Sequence, residues 1–178
     1  MRLFIAIEIP EDIKEYLVKM QQNIDAAKNK IRFVNKDHIH LTLKFLGEVQ
    51  PNKLDDIKNN LKEIDFKPFS VVLDNIGVFP SESCIRVVWV GLKPEEQALE
   101  LQKNIDENLK KLFKKEKGYK PHLTIARVKY VEDKKQFIDE LKKIKVENKK
   151  IDVPNFRLIK STLTPKGHVY EDLEVFGK

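Results

Sequence analysis

His40-Leu41-Thr42-Leu43 and His122-Leu123-Thr124-Ile125 are two copies of one pattern, and their places in the chain decide the fold. Each reads as a β-strand with one buried and one open face. Successive side chains on a strand point to opposite sides, so residues i and i+2 share a face. Leu41 and Leu43 then turn toward a core while His40 and Thr42 project away from it. Leu123 and Ile125 turn inward in the second copy, leaving His122 and Thr124 outward. Only His38 and His168 complete the histidine set, and only Thr162 and Thr164 the threonines, so the repeated His-x-Thr is far above chance.

Outward from the first copy, residues 3–9 read as an apolar strand closed by Pro10. Ile13, Tyr16, Leu17, Met20, Ile24 and Ala27 recur at helical spacing, predicting an amphipathic helix from Glu11 to about Lys28. A short strand at 31–34 and a turn at Asn35-Lys36-Asp37 lead into the His40 strand, at about 39–46. A helix carrying Leu54, Ile57, Leu61 and Ile64 follows Pro51, then strands at about 69–78 and 84–91. The second copy has similar surroundings. Strand 84–91 ends near Pro94, and Ala98, Leu101, Ile105, Leu109 and Leu112 mark a helix. The His122 strand covers about 122–129, and Phe137, Ile138, Leu141 and Ile144 mark a further helix. A strand near 156–163, a hairpin turn at Thr164-Pro165-Lys166-Gly167 and a last strand at about 168–176 complete the chain.

Each half is thus strand, helix, strand, helix, strand. The duplication predicts an α+β fold of two lobes related by a pseudo-twofold axis. Two antiparallel sheets would face a central cleft, with helices outside. The expected organisation is a single two-lobed domain over 1–178, its halves joined near 80–84.

Composition sets limits on function. The 178 residues suffice for a proper core, and 41% hydrophobic with 35% charged residues is the balance of a soluble globular protein. No apolar run reaches the length of a membrane span, and the opening residues lack the apolar region of a signal peptide. A lone cysteine, Cys84, excludes an intrachain disulfide and fits a cytoplasmic location. The net charge of +6 suits a polyanionic partner, although lysine-rich surfaces are equally a habit of heat-adapted proteins.

The pseudo-twofold axis would bring the two His–Thr pairs to opposite sides of one cleft. That arrangement suits in-line displacement at a phosphodiester. One neutral histidine takes a proton from water while a protonated one gives a proton to the departing ribose oxygen. The hydroxyls of Thr42 and Thr124 donate to the non-bridging oxygens as charge builds on them, with no need for a metal.

The chain resembles the two-histidine phosphoesterase superfamily. Within it the match is to the RNA 2′,3′-cyclic phosphodiesterases, historically called 2′-5′ RNA ligases or LigT-like proteins. The resemblance runs nearly end to end, from Arg2-Leu3-Phe4-Ile5-Ala6-Ile7 through the run beginning His40-Leu41-Thr42-Leu43-Lys44-Phe45-Leu46-Gly47. It continues in Arg86-Val87-Val88-Trp89-Val90-Gly91, Pro121-His122-Leu123-Thr124-Ile125-Ala126-Arg127-Val128 and the spaced Ser161, Leu163, Pro165, Gly167, Tyr170, Leu173 and Phe176. It implies a metal-free, cofactor-free active site with His40 as proton donor and His122 as proton acceptor. The implied reaction opens 2′,3′-cyclic phosphate ends of RNA to 2′-phosphomonoesters, with 2′-5′ ligation as the reverse chemistry. Cyclic-ended RNA, tRNA fragments included, is the expected partner of a monomeric protein with no membrane attachment. The sequence departs from the family pattern at Lys120 and Lys160, where arginine and glutamate are common.

Other residues carry weaker signals. Arg127 falls on the wrong face under strict alternation, and a bulge would be needed to turn it onto a substrate phosphate. Phe45 and Phe79 are candidates to stack a base. His38-Ile39-His40 has the spacing of a metal motif, but His168 is the only spare histidine to complete it. Cys84 reads as a packed strand residue. Alternatives are a superfamily enzyme acting on linear 2′-5′ linkages or small cyclic nucleotides, and a non-catalytic RNA-binding module.

Overall fold

A computed structural model of the chain describes residues 1–165 and 167–177. Lys166, within the expected Thr164–Gly167 turn, lies outside the described residues. The first half contributes β1 (Arg2–Glu8), α1 (Glu11–Gln21), β2 (Lys30–Phe33), β3 (His40–Glu48), α2 (Leu54–Lys62) and β4 (Phe69–Ser81). The second contributes β5 (Cys84–Lys93), α3 (Glu96–Asn108), β6 (His122–Tyr130), α4 (Lys134–Lys143), β7 (Lys150–Val153), β8 (Phe156–Thr164) and β9 (Gly167–Phe176).

Every expected element is present, but the first helix is shorter than expected and one strand is added. The first helix stops at Gln21 rather than near Lys28. Asp25 accepts from the Ala27 amide and Asn29 donates to the Asp25 carbonyl, local bonds that compete with the helical ladder. Ile24 nonetheless packs into the core, which is why its helical spacing misled. The short edge strand β7 pairs with β4 and had no expected counterpart.

The strands form one antiparallel sheet in the order β7-β4-β5-β6-β3-β1-β8-β9, with β2 added to β6. The two expected sheets are its wings, β7-β4-β5-β6 and β3-β1-β8-β9, joined at a seam where Leu41 pairs with Leu123. The fourth strand of each sequence half, β4 and β8, crosses to the other wing. β4 pairs with β5, and β8 pairs with β1. Helices cross as well: α1 packs on β6, and α3 packs on β3.

One face of the sheet carries the main core, including Leu3, Ile5, Leu41, Leu43, Val88, Val90, Leu123 and Ile125 with the inner faces of the helices. Burying each such side chain contributes about 1.5–3 kcal/mol. The opposite face carries a small separate cluster of Phe4, Ala6 and Ile159 with Tyr170 packed against it. That second cluster floors one wall of the cleft. Cys84 is exposed, contrary to expectation, because β4 and β5 run past the helices to their hairpin end at Ser81–Cys84.

Candidate active site

The seam builds the site. Antiparallel pairing of Leu41 with Leu123 turns both leucines into the core and leaves the flanking residues on the other face. Continued across the seam, that register faces His40 toward Thr124 and Thr42 toward His122. All four side chains are partly exposed, flanked along each strand by leucine or isoleucine at 0–1% exposure.

Each histidine is held from behind by the backbone just ahead of its strand. His122 Nδ1 lies 2.7 Å from the Lys120 carbonyl oxygen, which can only accept, so Nδ1 carries the proton. His122 Nε2 is left with a lone pair. His40 is likewise hydrogen-bonded to the His38 backbone two residues earlier. Burial lowers the His40 pKa to about 4, aided by the positive charges of His38, Lys14 and Arg127. Burial lowers His122 as well, against its bond to the Lys120 carbonyl and with the Lys120 charge. Before substrate binds, both rings are therefore neutral near pH 7.

Aromatic walls fix the ring planes. Phe79 meets His122 edge-on at 4.9 Å and lies 5.0 Å from Trp89. Trp89 rests over Gly77, where a Cβ would come within 2.3 Å of the indole. On the other wing Tyr170 stands edge-on to His40 at 5.5 Å and Phe4 lies 5.0 Å from the same imidazole. Phe45 tilts against Phe4 at 6.2 Å and remains 62% exposed, free to receive a flat ligand.

Arg127 does face the cleft. β5 pairs Trp89 with Thr124 and Val88 with Ala126, so Ile125 is the extra residue of a β-bulge. Ile125 and Ala126 are both buried, and the alternation resumes with Arg127 on the histidine side, where its charge acts on His40 and Tyr170. β3 carries the matching bulge. Ile5 pairs with Lys44 and Ala6 with Thr42, which turns Phe45 outward at the position equivalent to Arg127.

Each bulge is braced by the helix of the opposite half. Gln21 Nε2 donates to the Val34 carbonyl at 2.8 Å and to the Ile125 carbonyl at 2.9 Å. Lys44, 2% exposed, donates to Asp106 of α3 at 2.5 Å and to the Lys114 carbonyl at 2.6 Å. Burial raises the Asp106 carboxyl, but hydrogen bonds from Lys44, Gln102 and the Glu116 amide outweigh it and hold the pKa below its ordinary value. Tyr119 completes the frame by donating to the Thr42 carbonyl at 3.0 Å.

His38 is engaged away from the two His–Thr pairs. Its Nε2 bonds the His168 carbonyl at 2.9 Å, and His168 Nδ1 bonds Ser161 Oγ at 3.0 Å. Among the described residues no three His, Cys, Asp or Glu side chains converge as metal ligands would.

The family model described as LigT like Phosphoesterase matches this chain twice, over residues 7–89 and 90–170. This chain belongs to the LigT-like phosphoesterase family. It is 44% identical to the RNA 2′,3′-cyclic phosphodiesterase of Methanocaldococcus jannaschii, across 96% of this chain and 97% of that one. The counterpart from Archaeoglobus fulgidus is 38% identical, over 99% of each chain. Among solved structures, TT0787 of Thermus thermophilus superposes with a TM-score of 0.82 at 29% identity, covering 99% of this chain and 97% of that one. LigT of E. coli in complex with 3′-AMP gives 0.78 at 25% identity, covering 98% and 95%.

Three residues of this LigT-like cleft carried no sequence expectation of their own. Tyr170, against both His38 and His40, was visible only as one position of a spaced C-terminal pattern. Burial raises its hydroxyl pKa, opposed by the charges of Arg127 and Arg2. Lys120, noted in the sequence only as a departure from the family pattern, serves through its carbonyl, which any residue supplies, and rests its ammonium 4.6 Å over the Trp89 ring. Gln21 stood on a helix face otherwise read as apolar, and a polar residue in that stripe was the available clue.

Proposed function

We propose that this chain hydrolyses 2′,3′-cyclic phosphate ends of RNA to 2′-phosphomonoesters, using His40 and His122 as an acid–base pair. The pairing of Leu41 with Leu123, which puts one His–Thr pair of each half on the same open face, carries the reading. The names of its relatives support the substrate class. Water attacks phosphorus and gives its proton to His122 Nε2. The bond from phosphorus to the ribose 3′-oxygen breaks, and His40 protonates that oxygen. Thr42 and Thr124 donate to the non-bridging oxygens, and Arg127 offsets their charge. Phe45 and Phe79 flank the base. A 5′-hydroxyl in place of water would break the same bond from phosphorus to the 3′-oxygen and leave a 2′-5′ linkage. The whole chain acts as one two-lobed unit, a monomer in the cytoplasm whose substrates include tRNA fragments.

The negative phosphate resolves the protonation problem of two neutral histidines. An anion beside a buried imidazole favours its charged form, so the substrate itself recruits the catalytic proton. The test is turnover of a nucleoside 2′,3′-cyclic phosphate and a short cyclic-ended RNA in the presence of EDTA, with phosphorus NMR of the product. A 2′-phosphate is expected. A 3′-phosphate would reverse the donor and acceptor roles, and failure to open either substrate would sink the reading.

A further inference from the structure

The charged residues of this protein divide by type. Lysine supplies the cation of nearly every ion pair, among them those with Glu8, Glu11, Asp74, Glu82, Asp106, Glu107, Asp152, Glu171 and Glu174. Arg157 is the one arginine ion-paired among the described residues, to Asp172 and Glu8. Arg2, Arg32, Arg86 and Arg127 have no carboxylate partner there.

Two of these free arginines stand side by side. Arg32 of β2 is the direct partner of Arg127 of β6, and directly opposed residues of an antiparallel pair project to the same face. Ile31, the next residue, packs against the main core, which independently puts Arg32 on the cleft side. Like charges so placed, Cβ atoms about 5 Å apart, destabilise a sheet. Among the described residues no carboxylate offsets this pair. Lys30, two residues before Arg32, shares its face, has no ion pair there, and pairs with Tyr130. Tyr130 is 53% exposed. The register shift between Lys30 and Ile31 keeps Tyr130 on this face. From Arg127 outward, the β2–β6 ribbon therefore presents Arg32, Lys30 and an exposed phenol in sequence. Cations that track a backbone beside an aromatic platform are what a single nucleic-acid strand requires.

We infer that the β2–β6 ribbon is a track for the RNA strand preceding the cyclic end, with Arg32 binding the first phosphodiester upstream and Tyr130 stacking a base beyond it. The inference rests on the reading of the cleft given above and extends it from the reacting phosphate to the length of the substrate. A second guanidinium beside Arg127 forms paired hydrogen bonds to the internucleotide phosphodiester upstream of the cyclic end, which a nucleoside cyclic phosphate lacks. Arg32 thereby sets a preference for oligonucleotide ends over mononucleotides without touching the chemistry.

The experiment compares wild type, Arg32→Gln and Tyr130→Ala on a cyclic-ended trinucleotide and on a nucleoside 2′,3′-cyclic phosphate, at several salt concentrations. Both side chains are exposed, and unchanged circular dichroism and Tm verify the fold. Arg32→Gln should lower kcat/KM about 10-fold for the trinucleotide and less than about 2-fold for the mononucleotide, as expected for one lost phosphate contact. The slope of log kcat/KM against log salt should flatten by about 0.7 for the trinucleotide alone. Equal losses on both substrates, or no loss on the trinucleotide, would overturn the track. Binding of a 2′-phosphorylated trinucleotide and a nucleoside 2′-phosphate, measured by calorimetry, separates this inference from the catalytic one. If wild type opens neither cyclic substrate, an Arg32→Gln effect confined to the trinucleotide complex still supports the track, and its absence there overturns it.

Discussion

Leu41 of β3 and Leu123 of β6 stand directly opposite each other, the one register pair among the described residues that joins the two wings of the sheet. Both are buried, so the contact that closes the core also brings two His–Thr pairs to one open face. The geometry of the proposed acid–base pair and the stability of the fold thus meet at one point of the backbone.

His40→Ala and His122→Ala should each abolish turnover and leave the fold intact, since both imidazoles project from the core-free face of the sheet. The double variant should be little worse than either single one, because groups that act as a unit lose function non-additively. Positioned acid–base groups contribute about 10²–10⁴-fold. A single variant that kept more than about a tenth of the wild-type rate would show the pair to be misassigned.

Thr42→Ala and Thr124→Ala should each slow turnover by roughly 10–10³-fold, the loss of one donor to a developing oxyanion. Serine in either place should restore much of the rate. Steady-state kinetics on a cyclic nucleotide decides this, and wild-type rates in both alanine variants would move the phosphate site elsewhere in the cleft.

The pH profile should report the lowered histidine pKa values. The pair must hold one proton to act, and burial favours its loss from both rings. As pH rises through the higher of the two values the free enzyme loses that proton, so kcat/KM falls from below the ordinary histidine value of 6.5. The acid limb lies near 4, where the second proton binds. These limbs belong to the coupled pair rather than to one residue each. Bound phosphate favours the charged form, so the kcat optimum should lie at higher pH than that of kcat/KM. Coincident profiles centred above about pH 7 would remove burial as the dominant influence.

Lys44→Met should destabilise the protein by about 3–5 kcal/mol, because it leaves the Asp106 carboxylate buried without its cation. Lys44→Met with Asp106→Leu should recover most of that loss, since a buried ion pair and a packed apolar pair are often of similar stability. Urea titration at neutral pH reads both values. A double variant no more stable than the single one would mean that the bonds of Asp106 to Gln102 and the Glu116 amide matter more than its charge.

Much of this was legible in the chain because it depends on near neighbours. Alternation over three or four residues assigned His40, Thr42, His122 and Thr124 to the open face, and helical spacing located the four helices. The bulge at Leu43-Lys44 was not legible, and the one at Ile125-Ala126 entered only as the condition for Arg127 to reach the cleft. A bulge places two successive residues on the buried side, and the Lys44 side chain looks like solvent-facing polarity unless Asp106 is known to wait behind it.

The sequence by itself determined the element types, the duplicated order and the two His-x-Thr faces, all consequences of local periodicity and of the hydrophobic effect acting on one strand or helix at a time. Only the tertiary structure decided that β4 and β8 exchange wings, that α1 and α3 brace the strands of opposite halves, and that Arg127 and Arg32 stand directly opposite each other. Those relations join residues tens of positions apart. Their free energy lies in pairing, packing and burial between distant segments, which no window of the sequence contains.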